Sequence, residues 1–224
     1  EHVLSAGANQ SSLNDERSKY DSYLANIDME IGRLVAKLKE QGVLDHTYFI
    51  ITADHGEMFE RGTNGHYTGL LYEPVIKIPL LILAPGSQER RDFFVPTSAV
   101  DLLPTILNLT GADIPVSCEG SVLPGLGGVE DPARSIITME AKESSAFKPF
   151  TKATFAIIKG NYKLLYYRGY VHKYQDYFEF YDLQDDPEEM YDKYSKQKFA
   201  EIIYGMKQEL FNAMDEADKK VSAR

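Results

Sequence analysis

The sequence predicts an α/β fold followed by a smaller antiparallel α+β subdomain, and three observations carry that prediction. Apolar residues recur at helical spacing between Tyr20 and Leu38. Two short runs, "TYFIIT" and "IPLLILAPG", are apolar on successive residues, the pattern of strands buried on both faces as in a parallel sheet. Past residue 134 the texture changes to short strands in series, closed by one amphipathic helix.

Taken in order, the first element is a helix whose stripe runs Tyr20, Tyr23, Leu24, Ile27, Ile31, Leu34, Val35 and Leu38, with Gly42 as its stop. The strand "TYFIIT" follows, then a loop, then the second strand ending in the Pro85–Gly86 turn. "TSAVDLLPTILNLTG" reads as a short helix capped by Ser98 or Asp101, with Pro104 in its first turn and Gly111 at its end. Residues 112–134 are rich in Gly and Pro and read as a long loop. The strands "RSIITM", "FAIIKG", "YKLLYY" and "FEFYDL" then lead to the helix "KFAEIIYGMKQELFNAMDEA". The expected division is 1–130 for the α/β part and 131–224 for the subdomain.

The totals set outer limits. At 224 residues the chain is long enough for a sizeable core, and 43% hydrophobic with 26% charged residues is ordinary for a globular protein. A net charge of −10 argues against a nucleic-acid polyanion as main partner. No apolar run is long enough for a transmembrane helix. A single cysteine, Cys118, rules out a disulfide within the chain, so cysteine usage is silent on compartment. Asn9 and Asn108 each begin a glycosylation sequon.

The stretch "TYFIITADHGEMFERGTNGH" holds the candidate chemistry. Ligands in open α/β sheets gather at the carboxyl ends of strands, where Asp54 and His55 stand together. A carboxylate and a neutral imidazole are a natural pair for a divalent cation. The competing reading is a capping aspartate beside a loop histidine. Gly56 is read as allowing a sharp turn behind the pair. His66 follows Asp54 by twelve positions, near enough to fold back, although spacing alone favours a surface histidine. His2, His46 and His172 carry less signal. Cys118 is a poor nucleophile, because Glu119 beside it opposes thiolate formation. "YDLQDDPEEMYD" lacks the EF-hand spacing and reads as a solvated turn. The six tyrosines from Tyr162 to Tyr177 read as packing of a small sheet rather than a substrate wall.

Four stretches, in order, resemble the C-terminal portion of the sulfatase family in the alkaline phosphatase superfamily. They are "YDSYLANIDMEIGRLVAKLKEQGVLDHTYFIITADHGE", "LLYEPVIKIPLLILAPG", "TSAVDLLPTILNLTGADIP" and "FEFYDLQDDPEE", together spanning roughly residues 18 to 216. The resemblance implies an alkaline-phosphatase-like partial α/β sandwich with a C-terminal antiparallel subdomain. It makes Asp54 and His55 ligands of one divalent cation, calcium in typical sulfatases, with Mn2+, Mg2+ or Zn2+ as alternatives. It implies a sulfated or phosphorylated small molecule or glycan as substrate.

Two departures qualify it. Thr68 stands where many sulfatases have a sulfate-contacting lysine, which leaves His66 as the nearest substitute and the expected catalytic contact. Phosphoethanolamine transferases of the superfamily carry a histidine at nearly this distance. The family's Cys/Ser-x-Pro-x-Arg, source of a formylglycine nucleophile, is absent, and "CEGSV" around Cys118 does not match it. The expectation is therefore a C-terminal part of a sulfate ester hydrolase, inactive by itself. Phosphoesterase, phosphonate hydrolase or phosphoethanolamine transferase activity is the alternative, and a non-catalytic binding module the second. Many relatives are exported, but the compartment stays open.

Overall fold

A computed structural model describes residues 7–66, 69–87, 89–141, 152–172 and 175–222. It divides into two compact units, residues 1–91 and 92–224.

In the first unit, helix α1 spans Gln10–Glu40, beginning ten residues ahead of the apolar stripe. The Asn9 side chain accepts the Ser11 amide and so caps the start, and Lys37 and Lys39 complement the dipole at the far end. Gly42, at φ 68°, follows the last turn. Only Leu13 of this helix is buried, and the predicted stripe is open, with Tyr23 70% and Ile27 53% exposed.

Strand β1 (Phe49–Thr52) pairs with a strand at Leu80–Leu83. The pairing is antiparallel, with Phe49 opposite Leu83, which corrects the parallel expectation. Burial on both faces is corrected too, since Leu81 is 58% exposed. A continuous apolar run encodes a wish for burial and carries no information about strand direction. The described residues between the two strands, 53–66 and 69–79, bring the chain back to the end of β1 that it left, which sets the antiparallel direction.

That returning segment holds two elements. A hairpin joins β2 (Phe59–Glu60) to β3 (Thr63–Asn64). Its two turn residues, Arg61 at φ 55° and Gly62 at φ 72°, both take the positive φ that a tight primed turn demands. Arg61 tolerates this because its side chain is buried, its guanidinium 4.6 Å from the Tyr72 ring centroid and paired with Glu60. Helix α2 (Glu73–Ile76) has Pro74 in its first turn, and the strand at Leu80–Leu83, β4, follows it. Leu13, Met58, Leu70, Leu71, Tyr72 and Val75 form the buried apolar set of this unit.

The second unit begins with a capping box in which Ser98 and Asp101 bond each other's backbone, leading into α3 (Leu102–Thr110). Pro104 falls in the first turn, and Gly111 ends the helix at φ 70°. Asp101 does more than cap. Its carboxylate accepts the amides of Ser98 and Ser121, each at 2.8 Å, and two bonds from Arg134 at 2.7 Å. Thr105 adds a bridge, donating to the Asp101 carbonyl and accepting the Leu123 amide. The long Gly/Pro loop is thereby pinned to the helix it follows.

Four antiparallel strands in sequence order make the sheet: β5 (Ser135–Glu140), β6 (Ala153–Lys159), β7 (Tyr162–His172) and β8 (Gln175–Asp182). Helix α4 (Ala200–Ser222) covers one face, where Phe155, Ile157, Leu164, Tyr166 and Phe180 meet Phe199, Ile203, Met206 and Leu210. The opposite face is buried and polar. Lys163 pairs with Glu189 at 2.7 Å with both side chains at 0% exposure, and Tyr167 and Tyr181 donate to Glu179. Tyr162, Tyr166, Tyr167, Tyr170 and Tyr177 thus pack against neighbouring rings of the sheet, as expected, and Tyr174 lies outside the described residues. Burial and the Asp176 carboxylate push the Tyr166 phenol up to about 12. The acidic stretch is a turn, but a structured one: Asp186 accepts the amides of Met190 and Tyr191, and Asp192 those of Phe180 and Tyr194.

Two outcomes follow. Burial raises the Asp101 carboxyl, and its bonds from Arg134, Ser121 and Ser98 outweigh that and hold it below the ordinary 3.8. Its stabilisation is then complete well above pH 3.8 and is lost as pH falls through the lowered folded-state value. Asp101→Asn should cost about 3 kcal/mol in urea unfolding at pH 7 by leaving Arg134 uncompensated, with the deficit shrinking at acid pH. Gly56→Ala should lower the melting temperature, because a Cβ there would meet the Pro74 carbonyl oxygen at 2.0 Å; an unchanged melt would contradict the packing.

Candidate functional site

Strand β1 ends at Thr52, and the chain then turns out of the sheet through Ala53 to Asp54, His55 and Gly56. The Gly56 amide donates to the Val75 carbonyl at 2.7 Å, which locks the exit of the strand to α2. The glycine is needed for this close approach and not for a left-handed turn, since its φ is not positive.

Asp54 and His55 come out side by side. One Asp54 oxygen accepts the His55 amide at 3.0 Å, and the other lies 3.6 Å from His55 Nε2. His55 Nδ1 is 3.0 Å from the Gly56 carbonyl oxygen, so that nitrogen carries the proton and Nε2 keeps its lone pair. A histidine held to a backbone carbonyl in this way is oriented for a cation. Two donor atoms 3.6 Å apart, one anionic and one neutral, fit a shared divalent ion, whose ligands stand about 2.0–2.5 Å away. Asp54 is 89% exposed and free to adjust.

His66 arrives through the hairpin. Pairing of Phe59 with Asn64 and Glu60 with Thr63 continues through the Gly65 amide, which donates to the Met58 carbonyl at 2.9 Å, and sets Glu57 opposite His66. His66 Nδ1 lies 2.9 Å from Glu57 Oε2, with the two side chains 21% and 20% exposed. The His66 ring packs against that of His55, centroids 3.7 Å apart and planes tilted by 34°. Ligand atoms of His55, Glu57 and His66 all lie within 4.8 Å of one another.

The structure therefore brings together His55 and His66, with Asp54 at the edge. It adds Glu57, which the sequence reading passed over. Arg61-Gly62 is not one of the Asn-Gly, Asp-Gly or Gly-Gly pairs that announce a two-residue turn, so the register that sets Glu57 against His66 had no local mark in the sequence. His46 ends a short 3-10 turn, exposed, and His2, Thr68 and the His172 side chain lie outside the described residues. Cys118 sits half-buried in the 112–134 loop and belongs to no metal-ligand cluster among the described residues.

Comparison with known proteins gives this geometry its setting. Residues 5–112 match the sulfatase family profile, and residues 62–216 match that of the N-sulphoglucosamine sulphohydrolase C-terminal region. Arylsulfatase K of Bos taurus is 28% identical over 87% of the chain, which spans 36% of that relative. An N-acetylglucosamine-6-O-sulfatase of Bacteroides thetaiotaomicron is 27% identical over 90% of the chain, which spans 37% of it. Among solved structures, the phosphonate monoester hydrolase of Agrobacterium radiobacter superposes with a TM-score of 0.76 at 24% identity, over 91% of this chain and 42% of its own. A structure in complex with its substrate D-glucosamine-2-N,6-O-disulfate gives 0.63 at 25% identity, over 88% of this chain and 39% of its own. The chain spans little more than a third of these curated relatives. With the N-sulphoglucosamine sulphohydrolase C-terminal profile covering more than half of the chain and the sulfatase profile extending the match back to residue 5, the chain belongs to the sulfatase family.

Proposed function

We propose that this chain is the cation-binding C-terminal part of a sulfate ester hydrolase. One observation carries the reading: Asp54 Oδ2 and the lone pair of His55 Nε2 sit 3.6 Å apart at the end of a strand, in a chain of the sulfatase family. The division into residues 1–130 from the α/β domain and 131–224 as the C-terminal subdomain belongs to the same proposal.

Asp54 supplies an anionic oxygen and His55 a neutral nitrogen, the first free to rotate and the second held by Gly56. A divalent cation bound there, calcium by family resemblance, supplies charge neutralisation at a sulfuryl oxygen. His66, held by Glu57 at Nδ1 and with its ring centroid 3.7 Å from that of His55, is the residue proposed to donate to a sulfuryl oxygen or to protonate the departing alcohol. Transfer of such a group needs positioning and charge stabilisation above all, and these three side chains offer both.

The nucleophile, a formylglycine by resemblance, would come from the portion of the family's length that this chain does not span. Three facts support that division of labour. The chain covers 36% of the bovine relative, it contains no Cys/Ser-x-Pro-x-Arg, and the apolar stripe of α1 lies open. The N-acetylglucosamine-6-O-sulfatase relative and the solved structure in complex with D-glucosamine-2-N,6-O-disulfate support sulfated amino sugars as a substrate class. Histidine in place of a sulfate-contacting lysine keeps a phosphate or phosphonate ester as the second reading.

Expression of the parent enzyme carrying this chain tests the proposal, with aryl sulfate, aryl phosphate and phosphonate ester substrates compared. Asp54→Ala and His55→Ala should each lose bound metal and drop all turnover together by about a hundredfold or more. Metal content unchanged in both variants would remove the assignment. His66→Lys should raise the sulfate-to-phosphate ratio, and an unchanged ratio would exclude His66 as the contact that selects the ester. The 224-residue chain alone should turn over none of them.

A further inference from the structure

The oxygen-rich centre expected from Asp54 and His55 does not account for Glu57, nor for the close approach of the two imidazole rings. Two imidazole rings with centroids 3.7 Å apart and planes tilted by 34° place four ring nitrogens in a small volume, and the hairpin register holds a carboxylate against one of them. His55, its Nδ1 engaged by Gly56, offers Nε2. The 2.9 Å between His66 Nδ1 and Glu57 Oε2 is close to the about 3 Å edge between neighbouring ligands of a small cation. All three residues are partly buried, so little chain order must be created to fill the set.

We propose that His55, Glu57 and His66 together bind a borderline transition-metal cation, zinc above all, in a two-imidazole, one-carboxylate site. Nitrogen donors select zinc, cobalt or nickel over calcium, which prefers oxygen. Asp54 is no part of this set. On binding, the cation takes the place of the proton between His66 Nδ1 and Glu57; that proton moves to Nε2 of the neutral ring, or leaves to solvent where Nε2 is already protonated. The site shares His55 with the proposed catalytic centre, so the two cannot be filled at once. Zinc here also withdraws His66 from any substrate. The inference rests on the geometry of the loop and stands whichever ester the parent enzyme cleaves.

Titration of the full chain with zinc, cobalt and calcium chlorides by calorimetry tests it, together with visible absorption of the cobalt form. Zinc should bind one ion per chain, and calcium at least about a hundredfold more weakly. Glu57→Gln and His66→Gln should each weaken zinc by at least about tenfold, while Asp54→Asn changes it by less than about threefold. Calcium matching zinc would overturn the proposal. So would loss of binding in Asp54→Asn with Glu57→Gln and His66→Gln unaffected, which places the ion on the Asp54–His55 pair. Should a variant lose its far-UV circular dichroism, nitrogen NMR of the wild-type histidines decides. The ring signals of both His55 and His66 must shift with zinc, and shifts confined to His2, His46 and His172 would refute the site.

Discussion

The hydrogen bond from the Gly56 amide to the Val75 carbonyl is the constraint on which the candidate site depends. A strand that leaves its sheet must find new partners for its backbone, and β1 finds one in the short helix α2. The approach is so close that no side chain fits, which reserves the position for glycine. With that point fixed, Asp54 and His55 are held at the strand end, and the next residues are aimed into the hairpin. Register then does the rest, because pairing of Phe59 with Asn64 leaves Glu57 facing His66. A shift of one residue would send every side chain of the hairpin to its other face and separate the imidazoles.

Asp101 holds the second unit in a comparable way. One buried carboxylate receives two backbone amides and a two-pronged arginine, and so closes the capping box, the loop to Ser121 and the start of the sheet at Arg134. A buried charge is costly unless every lone pair is met, and here four donors meet it. The sheet beyond is built on a different balance. Its α4 face is apolar and aromatic, whereas the reverse face buries the Lys163–Glu189 pair and the tyrosine hydroxyls on Glu179. Such a polar layer specifies its own partners more sharply than an apolar one could.

The site's chemistry reads from donors. Asp54 and His55 offer one oxygen and one nitrogen with a tautomer set by a backbone carbonyl. Glu57 and His66 offer a second pair, one residue of which was visible only after the chain had folded. His55 belongs to both, so the proposed Asp54–His55 cation site and the proposed His55–Glu57–His66 set share one ligand.

By itself the sequence indicated the family, the larger elements in their order and the Asp54–His55 pair as candidate ligands. Helical spacing, the caps at Ser98 and Asp101, the strand series after residue 134 and the Asp54–His55 pair are all local patterns, and local patterns survive in a string of letters. The tertiary structure alone decided three things. It ran β4 against β1, because a run of apolar residues has no direction until the intervening chain returns to one end or the other. It left the stripe of α1 open, because periodicity reports a face and not what covers it. And it paired Glu57 with His66, since contact across a hairpin depends on a register that no single residue carries.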